Sequence, residues 1–147
     1  MRWRFVDRVT SFEPWKRMIA RKAISLEEYS LLKPFGRKGT FPESLVLESC
    51  VESVRWLVAA SSGFMQVCIL CEVSDFRFER EVGMGDLLEI AATVKQRAEN
   101  DLNVACGVNC LGENVAHGEI GVVLAPLSES FDREIIETMW RELYGAS

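Results

Sequence analysis

Two glutamates one helical turn apart are the side chains of this 147-residue sequence best placed for acid–base chemistry. Glu48 and Glu52 share a face with Arg55 in a run that has helical spacing. A carboxyl group in an apolar setting keeps its proton and can act as a general acid, and a neighbouring carboxylate reinforces this by repulsion. The alternative for Glu48 is an ordinary solvated carboxylate. For Glu52 we favour an ion pair with Arg55.

The basic side chains that could work with such an acid are the sole histidine, His117, and Lys38. A neutral imidazole suits proton abstraction because its pKa lies near the working pH. His117, however, lies in a late strand opposite the apolar face and is expected at the surface. Lysine is a base only where burial lowers its pKa by several units from about 10.4. Lys38 is therefore predicted to be a surface residue or an ion-pair partner of Glu48, with a substitute base as the alternative.

The five cysteines are predicted to be reduced, because the charged N-terminus does not resemble a secretion signal. Cys68 and Cys71 have the spacing of half a zinc site, but the residues between them indicate a strand, which points positions i and i+3 to opposite faces. Cys106 and Cys110 share a face and lack a second ligand pair. We therefore expect buried thiols, no metal and no cofactor.

The apolar pattern begins with a hairpin and a long helix. Residues 2–24 alternate as two strands, and Pro42 and Gly63 are the start and stop signals of a helix over about residues 43–61. One apolar stripe of this helix consists of Leu47, Cys50, Val51, Val54, Leu57 and Val58.

After the helix the pattern changes to period two. Met65–Val73 is almost continuously apolar, as in a strand covered on both faces, and the stretch over 77–81 that follows leads into a turn at 83–86. Three alternating strands then reach Leu124. A last amphipathic helix over about residues 130–144 is capped by Ser130. The residues predicted on its apolar side are Phe131, Ile135, Met139, Trp140 and Leu143.

An apolar helix stripe and a sheet with one apolar face must pack together. The simplest solution is an α+β architecture, the hot-dog fold, in which an antiparallel sheet wraps around the central helix. The length predicts a single domain over 1–147, with a core over about 3–125 and the C-terminal helix as an addition. No apolar run approaches the roughly 18–20 residues that span a bilayer, so we expect no membrane contact and a cytoplasmic protein.

The net charge of −5 argues against general nucleic-acid binding. Residues 1–40 nevertheless carry ten Lys and Arg against four Asp and Glu. These charges either form a basic surface for an acidic macromolecule or are simply solvated. The two-sided apolar character of Met65–Val73 predicts a homodimer.

Three segments, in matching order, resemble the β-hydroxyacyl-acyl-carrier-protein dehydratase family over roughly residues 3–125. Residues 40–48, Thr-Phe-Pro-Glu-Ser-Leu-Val-Leu-Glu, resemble the family's Phe/Met-Pro-Gly segment and the helix with its catalytic carboxylate. Residues 75–86 resemble its strand Arg-Phe-Lys-Arg-Pro-Val and the later Gly-Asp turn, and residues 5–9 resemble its opening strand.

The resemblance implies that Glu48 is the acid and that Glu52 stands at the position of a family glutamine. Lys38 stands where the family has its catalytic histidine, three residues before the motif's Phe or Met. The positions implied for substrate binding are Phe41, Pro42, Glu43 and Glu52, with Glu43 in place of the motif's glycine. Arg77 and Arg80 are implied contacts for an acidic carrier protein. The family also implies a dimer with acyl tunnels between its subunits.

The predicted function is recognition of a 3-hydroxyacyl thioester, on acyl carrier protein or coenzyme A, in fatty-acid or polyketide-type synthesis. Turnover by the family's mechanism is predicted to be very slow, because Lys38 replaces the histidine. One alternative is a non-catalytic subunit that binds acyl groups or the carrier protein. Another is a hot-dog acyl-CoA thioesterase, which would use a carboxylate and water.

Overall fold

The computed structural model describes residues 5–25, 40–127 and 132–145. Within these residues, six strands form one antiparallel sheet in the order β1-β2-β4-β5-β6-β3. The strands are β1 Arg8–Glu13, β2 Arg17–Ala23, β3 Gln66–Phe78, β4 Leu87–Arg97, β5 Asp101–Cys110 and β6 Glu113–Pro126. The helices are α1 Glu43–Ser61 and α2 Arg133–Trp140, and a π-helical turn, Arg141–Gly145, extends α2.

The sheet wraps around α1, as the sequence predicts, because alternate residues of its strands are apolar and face the helix. On β5 the buried positions are Leu102, Val104, Cys106, Val108 and Cys110. In the chain, α1 lies between β2 and β3. After the helix, β3 takes the edge of the sheet opposite to β1.

Helix α1 has the predicted bounds. The carbonyl of Pro42 accepts hydrogen bonds from the first turn, and the chain leaves the helix through Gly63 at φ +64°. The buried hydroxyls of Ser49 and Ser53 donate to the carbonyls four residues earlier, so neither is left unpaired. The sheet and α2 bury most of the circumference of α1, and the stripe that contains Glu48 and Arg55 stays in contact with solvent.

Within the single chain, Met65–Val73 is not covered on both faces. In the part of the chain that the structure describes, β3 pairs with β6 alone, and Ile69, Leu70 and Val73 are 57%, 41% and 37% exposed. The stretch over 77–81 begins inside β3, which ends at Phe78. An apolar run shows that a strand requires cover, but it does not show whether the same chain supplies that cover.

The C-terminal helix differs from its prediction in its bounds and its orientation. It begins at Arg133, and the carboxylate of Asp132 caps it by accepting from two backbone N–H groups. Ser130 and Phe131 lie outside the described residues. Ile135 is 58% exposed rather than packed. The side chains that pack inward are Ile136, Met139, Trp140 and Leu143, which follow the i, i+3, i+4, i+7 spacing of one helix face.

Aromatic rings join this helix to the rest of the domain. The Trp140 ring lies 5.2 Å from that of Phe12 on β1 and 6.0 Å from that of Trp56 on α1. Edge-on and tilted pairs at such distances are favourable packing arrangements. The C-terminal helix therefore packs beside α1 as part of a second core cluster, with Leu57 and Met18 among its buried members.

All five cysteines are free thiols, and three of them, Cys50, Cys106 and Cys110, are buried as predicted. Cys68 is half-buried and Cys71 is exposed, so the prediction of burial is wrong for Cys71, which lies on the uncovered strand β3. Across the described ranges, no group of three or more His, Cys, Asp and Glu has a metal-binding arrangement. None of the helices described is long and apolar enough to cross a bilayer.

Candidate active site on the central helix

The first turn of α1 is anchored to the sheet by Phe41, which is buried and whose N–H donates to the Val82 carbonyl at 2.7 Å. The next residue, Pro42, supplies the fixed φ of −58° from which the helix starts. The first backbone N–H groups of a helix have no partners within it. They can therefore donate hydrogen bonds to an oxygen that gains negative charge during a reaction. Glu43 is exposed in the same turn and places a carboxylate there.

Glu48, the candidate acid, is held by an arginine two turns further along α1. Nη1 of Arg55 lies 3.1 Å from Oε1 of Glu48 and 3.2 Å from Oε2 of Glu52. The predicted pairing of Glu52 with Arg55 is confirmed, and Arg55 also binds Glu48. All three side chains are partly exposed. One guanidinium thus serves two carboxylates, and both oxygens are hydrogen-bond acceptors in this arrangement.

An apolar cavity of about 740 Å³ opens beside this carboxylate pair. Glu52 and Arg55 line its polar end, and Trp56 continues its wall along α1. Ile136 and Met139 of α2 also line it, and residues at the start of β3 and the end of β6 complete the lining. The size and the mixture of apolar walls with a few polar groups are typical of small-molecule sites.

Cys68 is the nucleophilic side chain in the cavity wall. Burial raises the pKa of its thiol to about 11, although the nearby Arg55 guanidinium acts in the opposite direction. The thiolate is the reactive form of cysteine, so Cys68 is a poor nucleophile at neutral pH. In the core, the Cys106 thiol hydrogen-bonds Cys50 and, together with burial, raises the pKa of Cys50 well above its usual value.

The remaining residues predicted from the resemblance lie away from the pair of carboxylates or outside the described chain. Lys38 is outside the described residues, so its role remains a prediction. Arg77 is exposed on β3, opposite His117 in the register of β6. Arg80 donates to the carboxylate of Glu113 at 3.1 Å and to the Cys110 carbonyl at 3.3 Å.

The sole histidine lies at the surface of the sheet, as predicted. Nε2 of His117 is 3.3 Å from Oε1 of Glu79, and both side chains are about half exposed. An imidazole in this setting belongs to a surface ion pair or hydrogen bond rather than to an apolar reaction site.

Sequence reasoning missed the bond between Arg55 and Glu48 and the cavity. The first is an i, i+7 contact, which lies beyond the i+3 and i+4 pairs that helical spacing brings together. The second requires α2 to pack against α1. Its one sequence signal was the spacing of Ile136, Met139, Trp140 and Leu143.

No protein-family model matches the chain. Among curated proteins, a 3-hydroxyacyl-[acyl-carrier-protein] dehydratase FabZ of Anaeromyxobacter sp. (strain Fw109-5) is 30% identical over 97 residues, 63% of this chain and 61% of that protein. The FabZ of Anaeromyxobacter sp. (strain K) is 29% identical over 124 residues, 82% of this chain and 80% of that protein. The chain thus matches only about three fifths of the length of the first relative.

Solved structures with the same fold include a hot-dog-like protein from Thermanaerovibrio acidaminovorans, with a TM-score of 0.65, 12% identity and coverage of 87% of this chain and 90% of that one. A hypothetical thioesterase from Streptococcus pneumoniae with coenzyme A has a TM-score of 0.66, 10% identity and coverage of 83% and 88%. The dehydratase heterocomplex ApeI:P from Xenorhabdus doucetiae has a TM-score of 0.66, 14% identity and coverage of 92% and 88%.

Fold and sequence similarity together define the class: this is an α+β hot-dog protein. The chain belongs to the hot-dog family that includes the 3-hydroxyacyl-[acyl-carrier-protein] dehydratases.

Proposed function

We propose that this protein binds a 3-hydroxyacyl thioester, carried by acyl carrier protein or coenzyme A, at the Glu48 face of α1. The observation that carries the proposal is the position of Glu48, whose partner Arg55 lines the polar end of an apolar cavity. The acyl chain of such a substrate is apolar and matches the apolar walls of the cavity. Its thioester and hydroxyl are polar and match the polar end. The similarity to FabZ dehydratases supports the same substrate class.

We further propose that the family's dehydration is very slow in this protein. Dehydration requires a base that removes the α-proton and an acid that protonates the departing hydroxyl. The one histidine of the chain contacts Glu79 at the sheet surface, and Oε1 of Glu48 accepts a hydrogen bond from Arg55. The oxygen that accepts from the guanidinium is occupied by this contact and is not free to contact the substrate.

The second candidate function is a non-catalytic subunit that keeps the acyl site and works beside an active hot-dog chain. The Glu48–Arg55 contact favours it, because that contact engages one oxygen of the candidate acid in a structural ion pair. The similar structure named as a dehydratase heterocomplex is a precedent for a chain of this fold in an assembly with a different subunit.

We propose a homodimer formed through β3, with Arg77 as the contact for an acidic carrier protein. Among the described residues, the outer edge of β3 pairs with no other strand and carries exposed apolar side chains, and such an edge is the usual template for strand pairing between chains. Arg77 is exposed, whereas the guanidinium of Arg80 is engaged by Glu113. A lysine on the edge blocks such pairing, so V73K is expected to be monomeric in sedimentation equilibrium. The matched control is L111K, at an apolar residue that is 91% exposed in a turn.

The test of function compares the wild type, Lys38→His and Glu48→Gln on carrier-linked crotonyl thioester. We expect wild-type hydration to be slower than that of an active dehydratase by at least the ~10²–10⁴-fold that one acid–base group contributes, with some recovery in Lys38→His. Fast wild-type hydration that disappears in Glu48→Gln would contradict the proposed loss of activity. Fast hydration that is indifferent to Glu48 would show that the site is misplaced, and hydrolysis of acyl-CoA without hydration would identify a thioesterase.

A further inference from the structure

The cavity beside Glu52 and Arg55 is bounded on one side by α2. Ile136 and Met139 of α2 line this cavity of about 740 Å³ together with Trp56 of α1. Asp132 caps this helix, and Arg133 binds it to the end of α1 through a 3.0 Å hydrogen bond to the Gly63 carbonyl. These contacts fix the position of α2, and with it the side of the cavity that α2 forms.

The polar end of the cavity selects against negatively charged ligands. Glu48 and Glu52 are opposed by the single guanidinium of Arg55, so this group of three side chains carries a net negative charge. A free carboxylate entering beside it is repelled, whereas an uncharged chain meets apolar walls. This combination favours the acyl chain of a thioester over a free fatty acid.

We propose that α2 is the end wall of the acyl compartment and that Ile136 and Met139 determine the longest acyl chain the protein accepts. The inference rests on the proposed binding of acyl thioesters and adds to it the residues that determine chain length. Each buried methylene strengthens binding about fourfold, so affinity rises with chain length until the chain meets the wall and then stops rising.

The experiment measures dissociation constants by titration calorimetry for saturated acyl chains of increasing length, each presented on coenzyme A and on an acyl carrier protein. The variants are Met139→Trp, which makes the cavity smaller, and Met139→Ala, which enlarges it. Ile135→Trp is the matched control, because Ile135 lies on the same helix, is 58% exposed and does not line the cavity.

We expect the length at which affinity stops rising to shorten by two or more carbons in Met139→Trp and to lengthen in Met139→Ala, with no change in Ile135→Trp. At the longest chain that the wild type accepts, a loss of two methylenes corresponds to about 15-fold weaker binding to Met139→Trp. Circular dichroism establishes which variants are folded, and Met139→Ala keeps the test decisive if the tryptophan variant does not fold.

Three outcomes overturn the inference, and they are distinguishable. If the wild type binds acyl thioesters and both Met139 variants keep its length profile, α2 is not the end wall. If Met139→Trp changes the mass measured by sedimentation equilibrium and Ile135→Trp does not, a second copy of the chain binds at the cavity. If the wild type binds no acyl thioester of any length on either carrier, the proposed function fails and this inference fails with it.

Discussion

Replacing Arg55 by methionine tests the contact on which the description of the site depends. Methionine keeps an unbranched apolar side chain against the cavity and removes the guanidinium. The variant loses the 3.1 Å contact with Glu48 and the 3.2 Å contact with Glu52. It also leaves two carboxylates one helical turn apart without a counter-charge.

The expected destabilisation follows from these three changes. Each partly exposed ion pair contributes roughly 0.2–1 kcal/mol, and a like-charge pair at i, i+4 costs about 0.2–0.5 kcal/mol. R55M should therefore unfold about 1 kcal/mol more easily than the wild type at low ionic strength. In 1 M salt the Debye length falls to about 3 Å, so most of this difference should disappear.

The measurement is urea denaturation followed by circular dichroism at low and high salt, for R55M, E48Q and the double variant. Coupling between Arg55 and Glu48 predicts that the double variant is less destabilised than the sum of the two single variants. Additive effects, or a cost for R55M that does not depend on salt, would show that the guanidinium does not bridge the two carboxylates.

Two further predictions concern the edge strand. A Cβ on Gly118 would lie 2.7 Å from the backbone Cα of Phe76, whereas one on Gly107 would meet nothing within 4 Å. Gly118→Ala should therefore lower the free energy of unfolding by about 1–3 kcal/mol in urea denaturation while Gly107→Ala does not; equal effects would contradict this packing. Because the pKa of Cys68 is raised to about 11, iodoacetamide at pH 8 should modify exposed Cys71 first, with Cys68 reacting appreciably only towards pH 11. Tandem mass spectrometry distinguishes the two thiols, and preferential modification of Cys68 at pH 8 would refute its burial.

The parts of this fold that could be predicted from the sequence are governed by neighbouring residues. Pro42 and Gly63 define the ends of α1 because they act on their own backbone torsions. The face that carries Glu48 and Glu52 follows from a 3.6-residue period, and the antiparallel strands after the helix follow from strict alternation. The resemblance to the dehydratases rests on the same local segments, which is why the family was recognisable while the cavity was not.

Tertiary structure decided what contacts those elements. The apolar sequence of Met65–Val73 predicts a covered strand. Its place at the edge of the sheet results from the order in which the strands are arranged around α1. Arg55 reaches Glu48 through side-chain conformations on a helix stripe that the sheet leaves open. The cavity beside Trp56 exists because α2, some eighty residues later, packs against α1. Sequence periodicity determined which face of each element is apolar, whereas long-range packing determined which faces meet, because only the folded chain brings distant residues together.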